Sequence, residues 1–148
     1  MRAFLVRLAG AQAADELAQE TFLRAWLRAA DYRGEGAYAG WLYRIGWRLH
    51  CDHARKSARR AALAPPGTAT ECATEPGALP ALDAALDARR VLATLDDRTR
   101  AALILCDGHG VSHAEAAEIL DLPLGTLKSL VHRARQRLRA AFGDGEPT

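Results

Sequence analysis

Apolar and polar positions alternate with a helical period over most of this chain, most cleanly from Thr126 to Phe142. There Leu127, Val131, Ala134 and Leu138 recur at i, i+4, i+7 and i+11, which predicts one helix of about 17 residues, roughly 25 Å long. Lys128, Ser129, His132, Arg133, Gln136 and Arg139 fall mostly on the opposite side. No acidic residue interrupts the stretch, which also carries Arg135 and Arg137. An apolar back with a long cationic front suits the phosphate-lined major groove of duplex DNA, although a solvated basic face has the same pattern.

The preceding segment favours DNA. Ser112 followed by Glu115 predicts a capping box, with Val111 placed to staple onto Ala116. Ala116, Ile119 and Leu120 form the expected inward face of that helix, and Leu122-Pro123-Leu124-Gly125 breaks it, since proline lacks an amide donor. Thr126 is placed to cap the next helix. Two short helices joined by a tight turn, the second one basic, read as a helix-turn-helix.

The earlier chain repeats the helical period. Met1–Ala9 offers Phe4, Leu5 and Leu8 as an apolar side. A second helix is expected from Ala13 to Ala30, with Leu23, Trp26, Leu27 and Ala30 as its inward stripe, Phe22 beside it, and Asp15 and Glu16 at the positive end of its dipole. Asp31–Gly40 reads as a loop whose Tyr32, Arg33 and Tyr38 could stack on bases and bind phosphate, or could pack inward as an ordinary connector. A third helix, roughly Ala39 to Arg60, has Trp41, Leu42, Ile45 and Leu49 as its expected inward stripe. It grows basic through Arg44, Arg48, Arg55, Lys56, Arg59 and Arg60, which also suits the negative end of a helix dipole. Residues 61–80, rich in proline and glycine, read as an extended, mobile linker. Helical spacing resumes from Asp83 to Leu95 through Leu86, Val91, Leu92 and Leu95. It resumes again from Arg98 to Cys106, with Ala102, Leu103 and Leu105 or Cys106 inward and Asp96-Asp97 as its N-cap.

The expected fold is therefore all-α. Two small helical domains, 1–60 and 81–142, are joined by the flexible linker 61–80, and residues 143–148 form a disordered tail. The second domain is a four-helix unit containing the helix-turn-helix. Composition fits: only 6% of residues are aromatic and much of the apolar content is alanine, so thin helical cores are expected rather than sheets. The net charge of +2 conceals two basic blocks, 44–60 and 128–139.

Enzymatic chemistry is not expected. No nucleophile elbow, phosphate-cradling glycine loop or catalytic carboxylate pair stands out. Cys51-Asp52-His53 and Cys106-Asp107-Gly108-His109 lack the paired spacing of a zinc site. The three cysteines make no paired framework, and no secretory signal or membrane-spanning run is visible, so a cytoplasmic protein with reduced thiols and no membrane insertion is expected.

Four stretches together, DELAQETFLRAW, YRGEGAYAGWLYRIGWRL, LDDRTRAALILCDGHGVSHAEAAEIL and LPLGTLKSLVHRARQRL, resemble the extracytoplasmic-function (ECF) sigma factors of bacterial RNA polymerase. The resemblance covers nearly the whole chain except the linker. It implies a non-enzymatic polymerase subunit, without a cofactor or metal of its own, that directs promoter recognition and transcription initiation. Residues 1–60 resemble sigma region 2, which docks on the β′ clamp helices of core polymerase and opens the minus-10 element. Asp15, Gln19, Glu20 and Phe22 match its polymerase-docking helix. Arg33, Tyr38 and Trp41, with the basic helix residues Arg44, Arg48, Arg55 and Lys56, match its minus-10 interface. Residues 81–142 resemble region 4, which reads the minus-35 element and touches the β flap; Thr126, Lys128, Ser129, His132, Arg133 and Arg135 match its recognition helix. An anti-sigma factor that clamps these surfaces is implied as regulator.

The chain departs from the family pattern at four places. The family's first helix is reduced to MRAFLVRLA, which leaves the first domain short of core area. Gly36 and Ala37 stand where hydroxyl residues are common in the base-capturing loop. Leu130 replaces a usual arginine, removing one phosphate contact and about 0.9 from the salt slope. Asp121 occupies a helix end where glycine is common, at a cost on the order of 1 kcal/mol if the left-handed conformation is kept. Two other readings remain open from sequence: a stand-alone helix-turn-helix regulator, and a sigma mimic that occupies an anti-sigma factor.

Overall fold

The computed structural model describes residues 1–34, 36–67 and 80–142, with side chains 80–86 outside it. These residues form seven α-helices and no strand. They are α1 (Arg2–Ala9), α2 (Ala11–Leu27), α3 (Tyr38–Leu63), α4 (Pro80–Ala93), α5 (Asp97–Leu103), α6 (His113–Leu120) and α7 (Leu124–Phe142). A 3₁₀ turn, Ala29–Asp31, follows α2, and a π-helical turn, Ile104–Gly108, extends α5. Most of the expected linker, the side chain of Leu86 and the expected tail 143–148 lie outside the described residues.

Local chemistry sets the helix ends. Gly10 takes φ 84°, which separates α1 from α2 and sends its amide back to the Val6 carbonyl. Asp96 caps α5 by accepting from the Thr99 amide at 2.9 Å and from its hydroxyl at 2.6 Å. Ser112 and Glu115 form the complete capping box of α6. Asp121 ends α6 in the left-handed conformation, φ 54° and ψ 53°. Helix α7 begins at Leu124, two residues before the expected cap. Thr126 therefore lies inside the first turn, and the Pro123 carbonyl accepts from the Leu127 amide.

The inward face of α2 is not the expected one. Leu23, Trp26, Leu27 and Ala30 are all exposed, Trp26 by 81% and Leu27 by 72%. The buried face is Ala14, Leu17, Ala18, Thr21 and Ala25, made mostly of small residues. Small side chains let α3 approach closely. A Cβ on Gly46 would lie 3.4 Å from the Thr21 hydroxyl and 3.0 Å from the Met1 sulfur. Thr21 meets its own polar requirement by donating to the Leu17 carbonyl at 2.6 Å. In α3, Leu49 is buried as expected, joined by Trp47 and His50, whereas Trp41, Leu42 and Ile45 are only half-buried.

The two halves share one core. Phe4, Leu5 and Leu8 of α1, Leu17 of α2 and Trp47 of α3 belong to the same apolar cluster as Leu105, Ile119, Leu120, Leu127 and Val131. Helix α6 packs on α3, and α1 packs on α5 and the π turn. The short first helix thus packs against the second half as well as the first, with each fully buried Leu or Phe contributing roughly 1.5–3 kcal/mol. Polar contacts cross the same boundary. His50 Nε2 and Asp97 Oδ2 are 3.0 Å apart. Arg100 donates to the Leu8 carbonyl at 2.9 Å while its other nitrogens donate to Leu92 and Leu95. A smaller cluster of Leu95, Leu103 and Ala134, flanked by Leu92 and Leu138, joins α5 to α7.

Candidate nucleic-acid interface

Helix α7 presents two faces. Leu127, Leu130, Val131 and Ala134 are buried. Thr126, Lys128, Ser129, His132, Arg133, Arg135, Arg137 and Arg139 are exposed. Leu130, expected on the cationic front as a lost phosphate contact, is instead 8% exposed and lies in the shared core. A charged residue there would be desolvated, so Leu130 removes nothing from the front in this arrangement.

Ser129 donates to the Gly125 carbonyl at 3.0 Å, and Arg135 is engaged by Asp107 through a paired contact at 2.9 and 2.5 Å. The Arg135 guanidinium holds the Asp107 carboxyl below its usual range, and Arg135 itself is shifted upward by the same bond. Among the described residues Lys128, His132, Arg133, Arg137 and Arg139 make no ion pair, and they face solvent. The front therefore carries a free positive field with Arg135 anchored at its side.

The other candidate surface lies where α3 begins. Tyr32, Tyr38 and Trp41 form a ring cluster, with centroids 5.3 Å apart for Tyr32–Tyr38 and Tyr32–Trp41 and 5.7 Å for Tyr38–Trp41. The Tyr32 hydroxyl donates to the Gly36 carbonyl, folding the loop over this cluster. The rings pack on one another at the surface rather than in the core, and Tyr38 is 52% exposed. Arg33 is exposed in the same loop, and Arg44 and Arg48 line a recess beside Trp41.

Arg55 and Lys56 do not join that group. Eleven residues separate Arg44 from Arg55, about 16 Å along the helix. Arg55 is tied to Asp52 at 2.7 Å and to the Cys51 carbonyl. Lys56 lines a separate open groove of about 630 Å³ between α2 and α3, facing Gln19 and Glu20.

On α2, Asp15, Gln19 and Phe22 are exposed. Asp15 pairs with Arg2 at 2.5 Å, a bond that lowers the carboxyl's pKa, and Glu20 pairs with Arg24 at 2.7 Å. Both pairs are solvent-exposed and add little stability. Sequence reasoning missed Leu23, Trp26 and Leu27 as surface residues beside Phe22, and it also missed buried Trp47, which stacks on His50. The signal for the true core face was the run of small residues at 14, 18, 21 and 25.

The zinc-like segments are spent on packing. Burial raises the pKa of the Cys51 and Cys106 thiols, Asp107 holds Arg135, and His109 lies against Phe4 and Tyr43. Among the described residues no group of His, Cys, Asp or Glu is placed to hold a metal ion. Among the same residues no helix is long and apolar enough to cross a membrane.

Comparison with known proteins finds relatives for both halves of the chain. A family model for Sigma-70 region 2 matches residues 1–60, and one for Sigma-70 region 4 matches residues 85–138. The chain is 37% identical over 138 residues to the ECF RNA polymerase sigma factor SigE of Mycolicibacterium smegmatis, covering 90% of this chain and 53% of that protein. It is 36% identical over 141 residues to EcfG of Rhodopseudomonas palustris, covering 95% and 77%. It is 30% identical over 142 residues to SigW of Bacillus subtilis, covering 88% and 76%. The chain thus spans about half the length of the first relative and about three quarters of the other two. Among solved structures, the sigma factor RpoE in complex with the anti-sigma factor NepR from Bartonella quintana superposes with a TM-score of 0.83 at 28% identity, covering 98% of this chain and 91% of that one. Two matched regions in order, relatives aligned over most of the chain and a shared all-helical architecture agree: the chain belongs to the extracytoplasmic-function sigma factors of bacterial RNA polymerase.

Proposed function

We propose that the chain works as a non-enzymatic promoter-recognition subunit, with residues 1–60 and 81–142 as its two functional modules. Helix α7 lies in the major groove of the minus-35 duplex, using Thr126, Lys128, Ser129, His132 and Arg133, while Arg135 orients the helix through Asp107. The ring cluster Tyr32, Tyr38 and Trp41, with Arg33, Arg44 and Arg48, takes an unstacked base of the minus-10 element. The α2 surface bearing Asp15, Gln19, Glu20 and Phe22 docks on the β′ clamp helices, and the second module touches the β flap. Arg55 and Lys56 extend the basic side of α3 toward the polymerase rather than toward the captured base. The protein acts in the cytoplasm, where the polymerase is.

The observation that carries this proposal is the pairing of two different nucleic-acid surfaces in one chain. One is a free cationic helix front suited to duplex, and the other is an exposed aromatic cluster suited to single strand. An anti-sigma partner is supported by the Bartonella complex, whose sigma factor shares this chain's fold with a TM-score of 0.83. The test is reconstitution with core polymerase on promoter DNA. The wild-type chain should confer start-site melting, and Trp41→Ala should retain core binding yet lose melting by an order of magnitude or more. Failure to bind core would overturn the proposal.

A further inference from the structure

A recess of about 140 Å³ lies between the end of α2 and the first half of α3, beside the ring cluster. Arg24, Arg28, Asp31, Trp41, Arg44 and Arg48 line it. It is well below the roughly 300 Å³ at which sites for whole small molecules begin. Its charge is unbalanced. Arg24 is satisfied by Glu20 at 2.7 Å, but among the described residues Arg28, Arg44 and Arg48 have no ion-pair partner, and Asp31 is the single described carboxylate in the wall. A cation at the end of α2 would be expected from the helix dipole alone. Dipole capping does not explain three unpaired guanidiniums brought to one recess from two helices, where they repel one another. An oxyanion in their midst removes that repulsion, and guanidinium forks match phosphate oxygens in pairs.

The position of the recess narrows the ligand. Trp41 belongs both to its wall and to the cluster with Tyr32 and Tyr38. An anion site sharing a wall with a stacking platform fits a nucleotide of a single strand, with the base on the rings and the backbone phosphate in the recess. Building on the minus-10 reading above, we propose that Arg28 completes with Arg44 and Arg48 a phosphate-binding notch that holds the backbone beside the captured base. Arg28 caps the C-terminus of the helix that sequence resemblance assigns to polymerase docking. The notch therefore joins the docking helix to the DNA strand.

The probe is a fluorescein-labelled single-stranded oligonucleotide bound to the full chain, followed by anisotropy across a salt series. Losing one phosphate contact to a single strand lowers the slope of log K against log salt by about 0.7. Arg28→Gln should show that drop and a several-fold loss of affinity at low salt, with its circular dichroism and thermal midpoint unchanged. Arg28→Lys should restore most of the slope. Arg90→Gln, which removes an exposed arginine of α4 paired with Asp87, should leave the slope alone. If Trp41→Ala abolishes binding while Arg28→Gln matches wild type in slope and affinity, the notch is overturned and the minus-10 reading stands. If the wild-type chain does not bind the oligonucleotide, both fall.

Discussion

At the residue scale, Asp121 and His109 occupy positions that make testable demands. Asp121 adopts the left-handed conformation that closes α6 before the turn into α7. That geometry brings Cβ close to the following carbonyl oxygen, and glycine avoids the contact. Asp121→Gly is therefore expected to stabilise the chain by up to about 1 kcal/mol, raising Tm by about 2–4 °C in calorimetry.

His109 lies between Phe4 and Tyr43, where α1, α3 and the π turn meet, and its Nε2 is buried without a hydrogen-bond partner. Burial, then the nearby Arg7 guanidinium and the terminal amino group, push its pKa below the ordinary 6.5. Tyr43, facing it from α3, is itself shifted upward by burial and stays neutral. A histidine depressed in the packed state takes up its proton more readily once the chain opens or unfolds. Stability is then independent of this group well above pH 6.5 and falls as pH drops below it. Denaturant titrations of wild type and His109→Phe from pH 7.5 to 5 should diverge, the variant losing less stability on acidification. Parallel profiles would show that His109 does not couple to packing.

At the element scale, α6 and α7 were legible in the sequence because several local signals agreed. The capping box, Pro123 and one apolar stripe all specified the same two helices, and the structure departs in starting α7 at Leu124 and in burying Leu130. Helix α2 was misread because it carries two candidate stripes. The larger residues Leu23, Trp26 and Leu27 drew the assignment, but α3 approaches too closely at Gly46 for anything but the alanine and threonine side to face it. Helix–helix distance is a tertiary property that hydrophobic period does not encode.

For α7 the salt dependence of duplex binding separates free charges from anchored ones. Lys128→Ala and Arg133→Ala should each reduce the slope of log K against log salt by about 0.9. Arg135→Ala should reduce it less, because that guanidinium already belongs to Asp107, and should lower stability instead. Equal slope changes for all three would mean that Arg135 leaves Asp107 to reach phosphate.

At the scale of the whole molecule, proline and glycine between 61 and 80 pointed to two helical domains joined by a linker, and the apolar faces of both halves meet in one cluster. Composition speaks for the connecting chain and is silent on whether the joined surfaces are complementary. The packed arrangement also places Arg44, which lines the recess beside Trp41, on the rim of a second recess shared with Glu118 and Asp121 of α6. A compact chain of this length has a radius of gyration of about 15 Å, hence a breadth of about 40 Å. Elements centred about 25 base pairs apart are separated by about 85 Å of duplex, at about 3.4 Å per pair. If the chain reads both elements at once, as proposed, the halves must part. Arg100→Met removes the donor of the Leu8 carbonyl across the boundary, and of the Leu92 and Leu95 carbonyls within the second half, and the Leu8 contact alone is expected to cost about 1–3 kcal/mol of packing between the halves. Small-angle scattering should then show a larger radius of gyration, and promoter affinity should rise at least about fivefold while Tm falls, since 1 kcal/mol is about a factor of five. Affinity that declines together with Tm would refute a packing barrier to recognition.

The common core has a regulatory corollary. When only the extended fraction of molecules can engage a promoter, the measured dissociation constant equals the intrinsic one divided by that fraction. On the proposed reading, a protein that fastens the halves together would silence the chain without covering its nucleic-acid surfaces, and a partner that holds the halves apart would activate it.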